Sequence, residues 1–337
     1  MYKSLLMNIN YYYRNSQAGF SIRAVFQTIV NEIGKNNTIT ETYLPSPHAH
    51  VKDIILNGIY AKKQQKNNYL NHITGEVHYL LYFLNPQKTI VTVHDIMYYS
   101  YLKGIKKKLW KILYINPLKR AAHITFISEF AKSQVLKEIS LPTEKISVIP
   151  NPVDNSFTYT HKVFNASKPR ILHIGTLERK NLVRTIQALK GISCHLRIIG
   201  KINDEITALL KQCEIEYSNS WNLTHEQIVQ EYQQADIINF PSLYEGFGMP
   251  IIEGQASGRI VVTSNISPMK EIANDGAILV NPMDKNSLHE AYISIIKNKN
   301  LRESIIQKGL VNVQKYTDKT IQNKYLEIYK TAYENIY

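Results

Sequence analysis

The stretch DIINFPSLYEGFGMPIIEGQASGRIVVTS, Asp236 to Ser264, contains a strand, a glycine-rich bend, a helical pattern and a second strand in that order. DIINF and RIVVTS are short apolar runs rich in β-branched residues, and two such runs joined through a helix make a parallel βαβ unit. Pro250 fits the first position of the helix, where its missing N–H costs nothing. The unit sets Glu245 in the loop and Glu253 early in the helix, eight residues apart. In open α/β sheets ligands bind at the C-terminal ends of the strands, where this bend lies. Gly246 and Gly248 let backbone amides approach a ligand, and a helix N-terminus favours phosphate. A carboxylate there can accept hydrogen bonds from ribose hydroxyls. The arrangement suits a nucleotide-sugar, with ribose at Glu253 and hexose near Glu245. The plainer reading is a surface turn with a dipole-stabilising glutamate.

The same alternation extends outward in both directions. Upstream, SLLMNIN (4–10) reads as a buried strand, and Ile22, Val25, Phe26, Ile29, Val30 and Ile33 recur at helical spacing before Gly34. TIVTV (89–93), HITFIS (123–128) and KISVIP (145–150) are further strands, with SEFAKSQVLKEIS helical between the last two. Residues 152–168, polar between Pro152 and Pro169, read as an interdomain linker. Then come RILHIG (170–175), NLVRTIQALKG as a helix and CHLRIIG (194–200). Thr224 and Gln227 form a capping-box pattern, and AILV (277–280) is a last strand before a helical C-terminal region. Two successive βαβα series predict two doubly wound parallel-sheet domains.

The 337-residue length also favours two domains. The N-terminus lacks a signal-peptide pattern, and no apolar run reaches the ~20 residues that span a bilayer. Only Cys194 and Cys213 are present, without metal-ligand spacing. A cytoplasmic protein is expected. The net charge of +13 is concentrated in residues 1–160, which carry 19 Lys and Arg against 9 Asp and Glu. This asymmetry points to a polyanionic partner. YLKGIKKKLWKILYINPLKR (101–120) mixes seven cations with Trp110 and aliphatics, either a membrane-surface contact or a solvated basic face. No base-reading motif points to nucleic acid.

The E-x7-E pattern, with GFG after the first glutamate and proline before the helix, resembles the retaining glycosyltransferases of family 4. That resemblance implies the GT-B fold, two Rossmann-like domains facing a cleft. It implies an acceptor domain over residues 1–155, a donor domain over 165–315 and a C-terminal helix (316–337) crossing back to the first. TLERKNL (176–182) is similar to the family's loop where a basic residue grips the donor diphosphate. Lys180 matches best, with Arg179 adjacent; Thr176 stands where the family often has a second cation. NPVD (151–154) resembles the family's NGVD, and Ser128-Glu129 its strand-end pair. VHDIMYY (93–99) matches a strand-end HD whose histidine lies beside the donor sugar. Structural histidines are commoner than catalytic ones, so for His94 the site role stands beside a buried structural one. Gly19, a lone glycine where the family has two, is either a phosphate contact or a plain turn. Glu271 is either the family's acidic residue after the donor site or a helix-surface residue.

The resemblance implies transfer of a hexose from a UDP- or GDP-linked donor to a glycan or polyprenyl-diphosphate-linked acceptor, with retention, in O-antigen, capsule or lipopolysaccharide synthesis. His94, Glu245 and Lys180 would be catalytic. Gly19, Arg179, Lys180, Glu245, Gly246, Phe247, Gly248, Met249 and Glu253 would bind the donor. With no D-x-D pair and no His/Cys/carboxylate cluster, the expectation is no cofactor and no metal. The alternative is a non-catalytic nucleotide-sugar-binding subunit. A nicotinamide oxidoreductase is disfavoured, since no G-x-G-x-x-G follows the first strand.

Overall fold

The computed structural model describes residues 6–17, 20–334 and 336. The chain divides into two compact units, Met1–Pro152 together with Asp318–Tyr337, and Val153–Thr317.

Six strands build the first unit: β1 (Asn8–Tyr13), β2 (Thr38–Tyr43), β3 (Leu70–Ile73), β4 (Thr89–Val93), β5 (His123–Phe126) and β6 (Ile146–Val148). They pair in parallel in the order β2-β1-β3-β4-β5-β6. All five residues of β4 are buried, as its unbroken β-branched run predicts for a central parallel strand. β1 corrects the expected span 4–10. It starts at Asn8 and continues through Tyr11, Tyr12 and Tyr13, all buried, because tyrosine rings cover the sheet as hydrocarbons do. Residues 4 and 5 of the expected strand lie outside the described residues.

The helix Phe20–Ile33 buries Phe26, Ile29, Val30 and Ile33 on this sheet. The helix Asp318–Glu334 buries Ile321, Tyr325 and Tyr329 in the same core. A chain of polar contacts pins it there. His72 Nδ1 lies 2.5 Å from the Tyr329 hydroxyl, and its Nε2 lies 2.8 Å from Thr92 Oγ1. Thr92 in turn is 3.3 Å from the Tyr325 hydroxyl. A buried imidazole thus has partners at both nitrogens, the condition for carrying it in a core.

The second unit holds β7 (Arg170–Ile174), β8 (His195–Ile199), β9 (Tyr217–Ser220), β10 (Ile237–Phe240), β11 (Ile260–Ser264) and β12 (Ile278–Val280). Their order is β12-β11-β10-β7-β8-β9, again all parallel. The order turns back between β7 and β10. Neighbouring crossovers leave in opposite directions at such a switch point, opening a crevice at the strands' C-terminal ends. The capping box at Thr224 is formed in full and starts the helix His225–Gln234.

The expected linker, 152–168, is corrected. Its first part packs on the second unit. Val153 N–H donates to the Tyr316 carbonyl at 2.8 Å, and the Phe157 ring sits 4.9 Å from that of Tyr232. Arg259 donates to the Thr160 carbonyl at 3.0 Å, while Lys162 pairs with Asp236. Partners supplied by Tyr232, Arg259 and Asp236 hold a stretch whose own composition reads as loose. The units therefore divide after Pro152 and Thr317, not at the expected 155, 165 and 315.

Candidate active site

Lys180 and Glu245 meet at the β7/β10 switch point. β7 runs out into Gly175, whose φ of +92° is a left-handed conformation. A Cβ there would lie 2.9 Å from Lys180 Cγ, so glycine makes room for the lysine stem. Asn181, also left-handed at φ +65°, is fully enclosed. Its amide donates to the carbonyls of Pro241 at 3.0 Å and Pro282 at 2.7 Å, joining the loops after β7, β10 and β12. The Leu243 N–H donates to the Arg179 carbonyl at 2.7 Å. The two loops are therefore fastened by backbone as well as side chain.

Glu245 Oε1 accepts from Lys180 Nζ and from Arg179 Nη1, each at 2.6 Å. Lys180 Nζ also lies 4.7 Å from the centre of the Phe240 ring. Burial lowers the Lys180 pKa, and the charge of Glu245 opposes that shift. Two cations facing one carboxylate make the strand ends a place for an anion.

Gly248, at φ +120°, turns the chain into the helix Met249–Ala256, with Pro250 in its first turn. A Cβ at Gly248 would come 2.9 Å from Ile251 Cδ1, so this turn is closed to other residues. Gly246 is buried and Met249 half-buried beside it. For Phe247 the expected donor contact is through the backbone, and its side chain turns inward. It is 3% exposed, with its ring edge-on to Tyr316 at 5.9 Å, and it anchors the loop to the core. Only its backbone remains for a ligand.

Glu253, half-buried, accepts a hydrogen bond at Oε2 from the Tyr232 hydroxyl at 2.5 Å. Desolvation raises its pKa to about 7, partly offset by the Tyr232 hydrogen bond and by His225 and Lys180; Asp154 adds to the rise. Sequence reasoning missed Tyr232. It lies 21 residues before Glu253 on another helix, and its one signal was an aromatic on that helix's buried face. Asp154, from NPVD, accepts from the Ser156 N–H at 2.8 Å, and Ser156 Oγ is 2.8 Å from His225 Nε2. The NPVD segment thus adjoins the Glu253 surroundings.

His94 belongs to the first unit, at the end of β4, and is 7% exposed. Its Nε2 is 2.8 Å from the Thr74 carbonyl. A carbonyl only accepts, so Nε2 carries the hydrogen and Nδ1 of the neutral ring is an acceptor. Burial lowers its pKa and favours that neutral form. Asp95 accepts from Met97 N–H at 2.8 Å and caps the turn that follows. Ser128 caps the helix Glu129–Leu136 by accepting from Ala131 N–H. Glu271 is a surface residue bonded to Ser267 at 2.7 Å. Gly19 lies outside the described residues. Among the described residues no three His, Cys, Asp or Glu are grouped to hold a metal ion, and no helix is long and apolar enough to cross a membrane.

Two Rossmann-like units of this topology, one with paired cations and carboxylates at its switch point, define a GT-B glycosyltransferase architecture. Family models agree: "Glycosyltransferase Family 4" matches residues 70–157, and "Glycosyl transferases group 1" matches 159–310. The chain belongs to the family-4-like glycosyltransferases. It is 30% identical over 214 residues to the O-antigen chain mannosyltransferase RfbU of Salmonella typhimurium, spanning 61% of this chain and 60% of that one. The O-antigen chain mannosyltransferase B of Escherichia coli is 24% identical over 269 residues, 72% of this chain and 70% of that one. A structure from Anabaena solved with UDP-glucose superposes with a TM-score of 0.78 over 96% of this chain and 100% of that one, at 13% identity, a likeness of fold.

Proposed function

We propose that this chain is a retaining glycosyltransferase that moves a hexose from a nucleoside-diphosphate sugar to a glycan or lipid-linked acceptor in cell-surface polysaccharide synthesis. The observation that carries the reading is the convergence of Lys180, Arg179 and Glu245 at the β7/β10 switch point. An incoming diphosphate competes with Glu245 for both cations. Lys180 and Arg179 then offset the charge that develops as the diphosphate leaves, without a metal. The freed Glu245 and the amides of 246–249 hold the sugar, and Glu253 accepts from the ribose hydroxyls. The second unit is the donor unit on this reading, and the first binds acceptor. Neutral His94 offers Nδ1 to a sugar hydroxyl. Attack from the face the diphosphate leaves gives retention without an enzyme nucleophile.

The mannosyltransferase relatives support a hexose donor, with mannosyl donors first in the substrate panel. A membrane-tethered acceptor suits the basic first unit. There Ile105, Leu109 and Ile112 are exposed beside Lys103, Lys106 and Lys108, and the helix Val51–Gln64 exposes Val51, Ile55, Leu56 and Ile59. That charge and apolar surface support the reading of a cytoplasmic enzyme resting on anionic lipid.

Calorimetric titration with UDP, GDP and ADP, free of added metal, tests the donor site. One nucleotide should bind the wild type and lose affinity with Lys180→Ala. Transfer by that variant should fall on the order of 10²–10³-fold, as when one preorganised electrostatic group is removed. Binding of none of the three, or undiminished transfer by Lys180→Ala, would overturn the assignment.

A further inference from the structure

The Glu253 carboxylate has an asymmetric setting. Oε2 accepts from the Tyr232 hydroxyl at 2.5 Å, while among the described residues Oε1 accepts nothing. Tyr232 is fully buried, with the Phe157 ring against its own at 4.9 Å. Burial and the neighbouring carboxylate hold its hydroxyl far above the usual phenol range, so it donates and does not ionise. The ionisable groups around Glu253 come from three other elements. Tyr232 and His225 lie on one helix, Asp154 on the segment after β6, and Lys180 on the loop after β7. The glutamate's own helix, MPIIEGQA, carries no other.

We propose that Tyr232 is a positioning residue for the donor site, holding one oxygen of Glu253 so that the other takes the ribose hydroxyls and nucleotide binding releases a proton. This rests on the donor reading of Glu253 given above. Ribose hydroxyls donate, and the ionised carboxylate accepts from them more strongly than the protonated acid does. Burial leaves a fraction of Glu253 protonated near neutral pH, and binding expels that proton to solvent. The Tyr232 hydrogen bond favours the charged form. Without it, Glu253 stays protonated to higher pH.

The test is calorimetric titration of whichever of UDP, GDP or ADP binds, from pH 6 to 8.5, in buffers of differing ionisation enthalpy. Wild type, Tyr232→Phe, Glu253→Gln and His225→Asn are compared. The ligand's own phosphate ionisation is common to all four. In the wild type, affinity should rise with pH through neutrality as proton release declines. Tyr232→Phe should move both curves to higher pH by half a unit or more, with weaker binding at pH 7 that recovers in alkali. Glu253→Gln should bind weakly at every pH and lose the excess proton release. His225→Asn should keep the excess proton release, which assigns that proton to the carboxyl and not to the imidazole beside it.

Tyr232→Phe curves that overlie the wild type, while Glu253→Gln binds weakly, would overturn the positioning role. Full affinity in Glu253→Gln would instead overturn the donor reading. The infrared carboxyl band of the wild type, assigned by difference from Glu253→Gln, serves as a second readout should Tyr232→Phe not fold. That band should titrate near neutrality and vanish on adding nucleotide. Its absence at pH 6 would also overturn the proposal.

Discussion

At the residue scale the site depends on one asparagine that holds other groups in place. Asn181 occupies a left-handed backbone position, and its amide satisfies carbonyls in two other loops. Asn181→Ala should cost about 3 kcal/mol, since alanine tolerates the left-handed backbone less well than asparagine and the side-chain hydrogen bonds with Pro241, Pro282 and Arg184 are lost. Asn181→Gly should cost less, since only the bonds are lost. Thermal denaturation of the pair separates the contributions. Nucleotide affinity should drop in both, because Lys180 is the residue directly before the displaced turn. Residues of this kind were the least legible in the sequence. Lys180, Glu245 and Glu253 belong to a local pattern of loops and helix starts. Asn181 and Tyr232 act on partners about sixty and twenty residues away, which no spacing reveals. The seat of the Phe247 ring was equally hidden, since its motif position says nothing of the Tyr316 ring that receives it.

Among the elements, central strands were read where β-branched residues ran unbroken, as in β4. β3, LNHI, gave no such signal, although all four residues are buried. Asn71 and His72 look like loop residues until Thr89, Thr92 and Tyr329 supply their partners. The stretch 101–120 resolves into a helix at Gly104–Trp110 followed by tighter and wider turns. Trp110 stacks on Tyr114 at 4.7 Å and Lys111 pairs with Glu138, so neither is free for lipid. Lys103, Lys106, Lys108, Ile105, Leu109 and Ile112 are exposed together on and around that helix. Vesicles containing anionic lipid should sediment the wild type, and charge reversal at the three lysines should release it. At about 1 kcal/mol per cation, removing three lowers partitioning on the order of 10²-fold. Equal sedimentation of both proteins would remove the lipid contact from the functional reading.

Across the whole molecule, buried neutral histidines set the response to acid. Burial holds His72 and His173 at about 3 and His78 at about 4, one or more in each unit. Below the ordinary imidazole pKa of about 6.5 the unfolded chain takes up protons that the folded chain refuses. These groups therefore stabilise the fold above that pH, and their contribution fades as pH falls towards their folded values. At full slope each costs about 1.4 kcal/mol per pH unit. Melting temperature should be flat from pH 8 to 7 and fall steadily from 6.5 to 4.5. An unchanged melt over that acid range would show that the rings are accessible.

The helix Asp318–Glu334 also has a bearing on how the chain is made. Its Tyr325 and Tyr329 complete a core begun by Ile9 and Tyr11, more than three hundred positions earlier. The second unit, by contrast, is drawn from one uninterrupted segment. A ribosome delivers the N-terminal half first, yet that half reaches its final packing only after residue 329 has emerged. The later-made unit is thus the first able to finish folding. Until then the five buried residues of β4 and the imidazole of His72 wait for their last partners, so the newborn N-terminal half is where chaperones should bind longest.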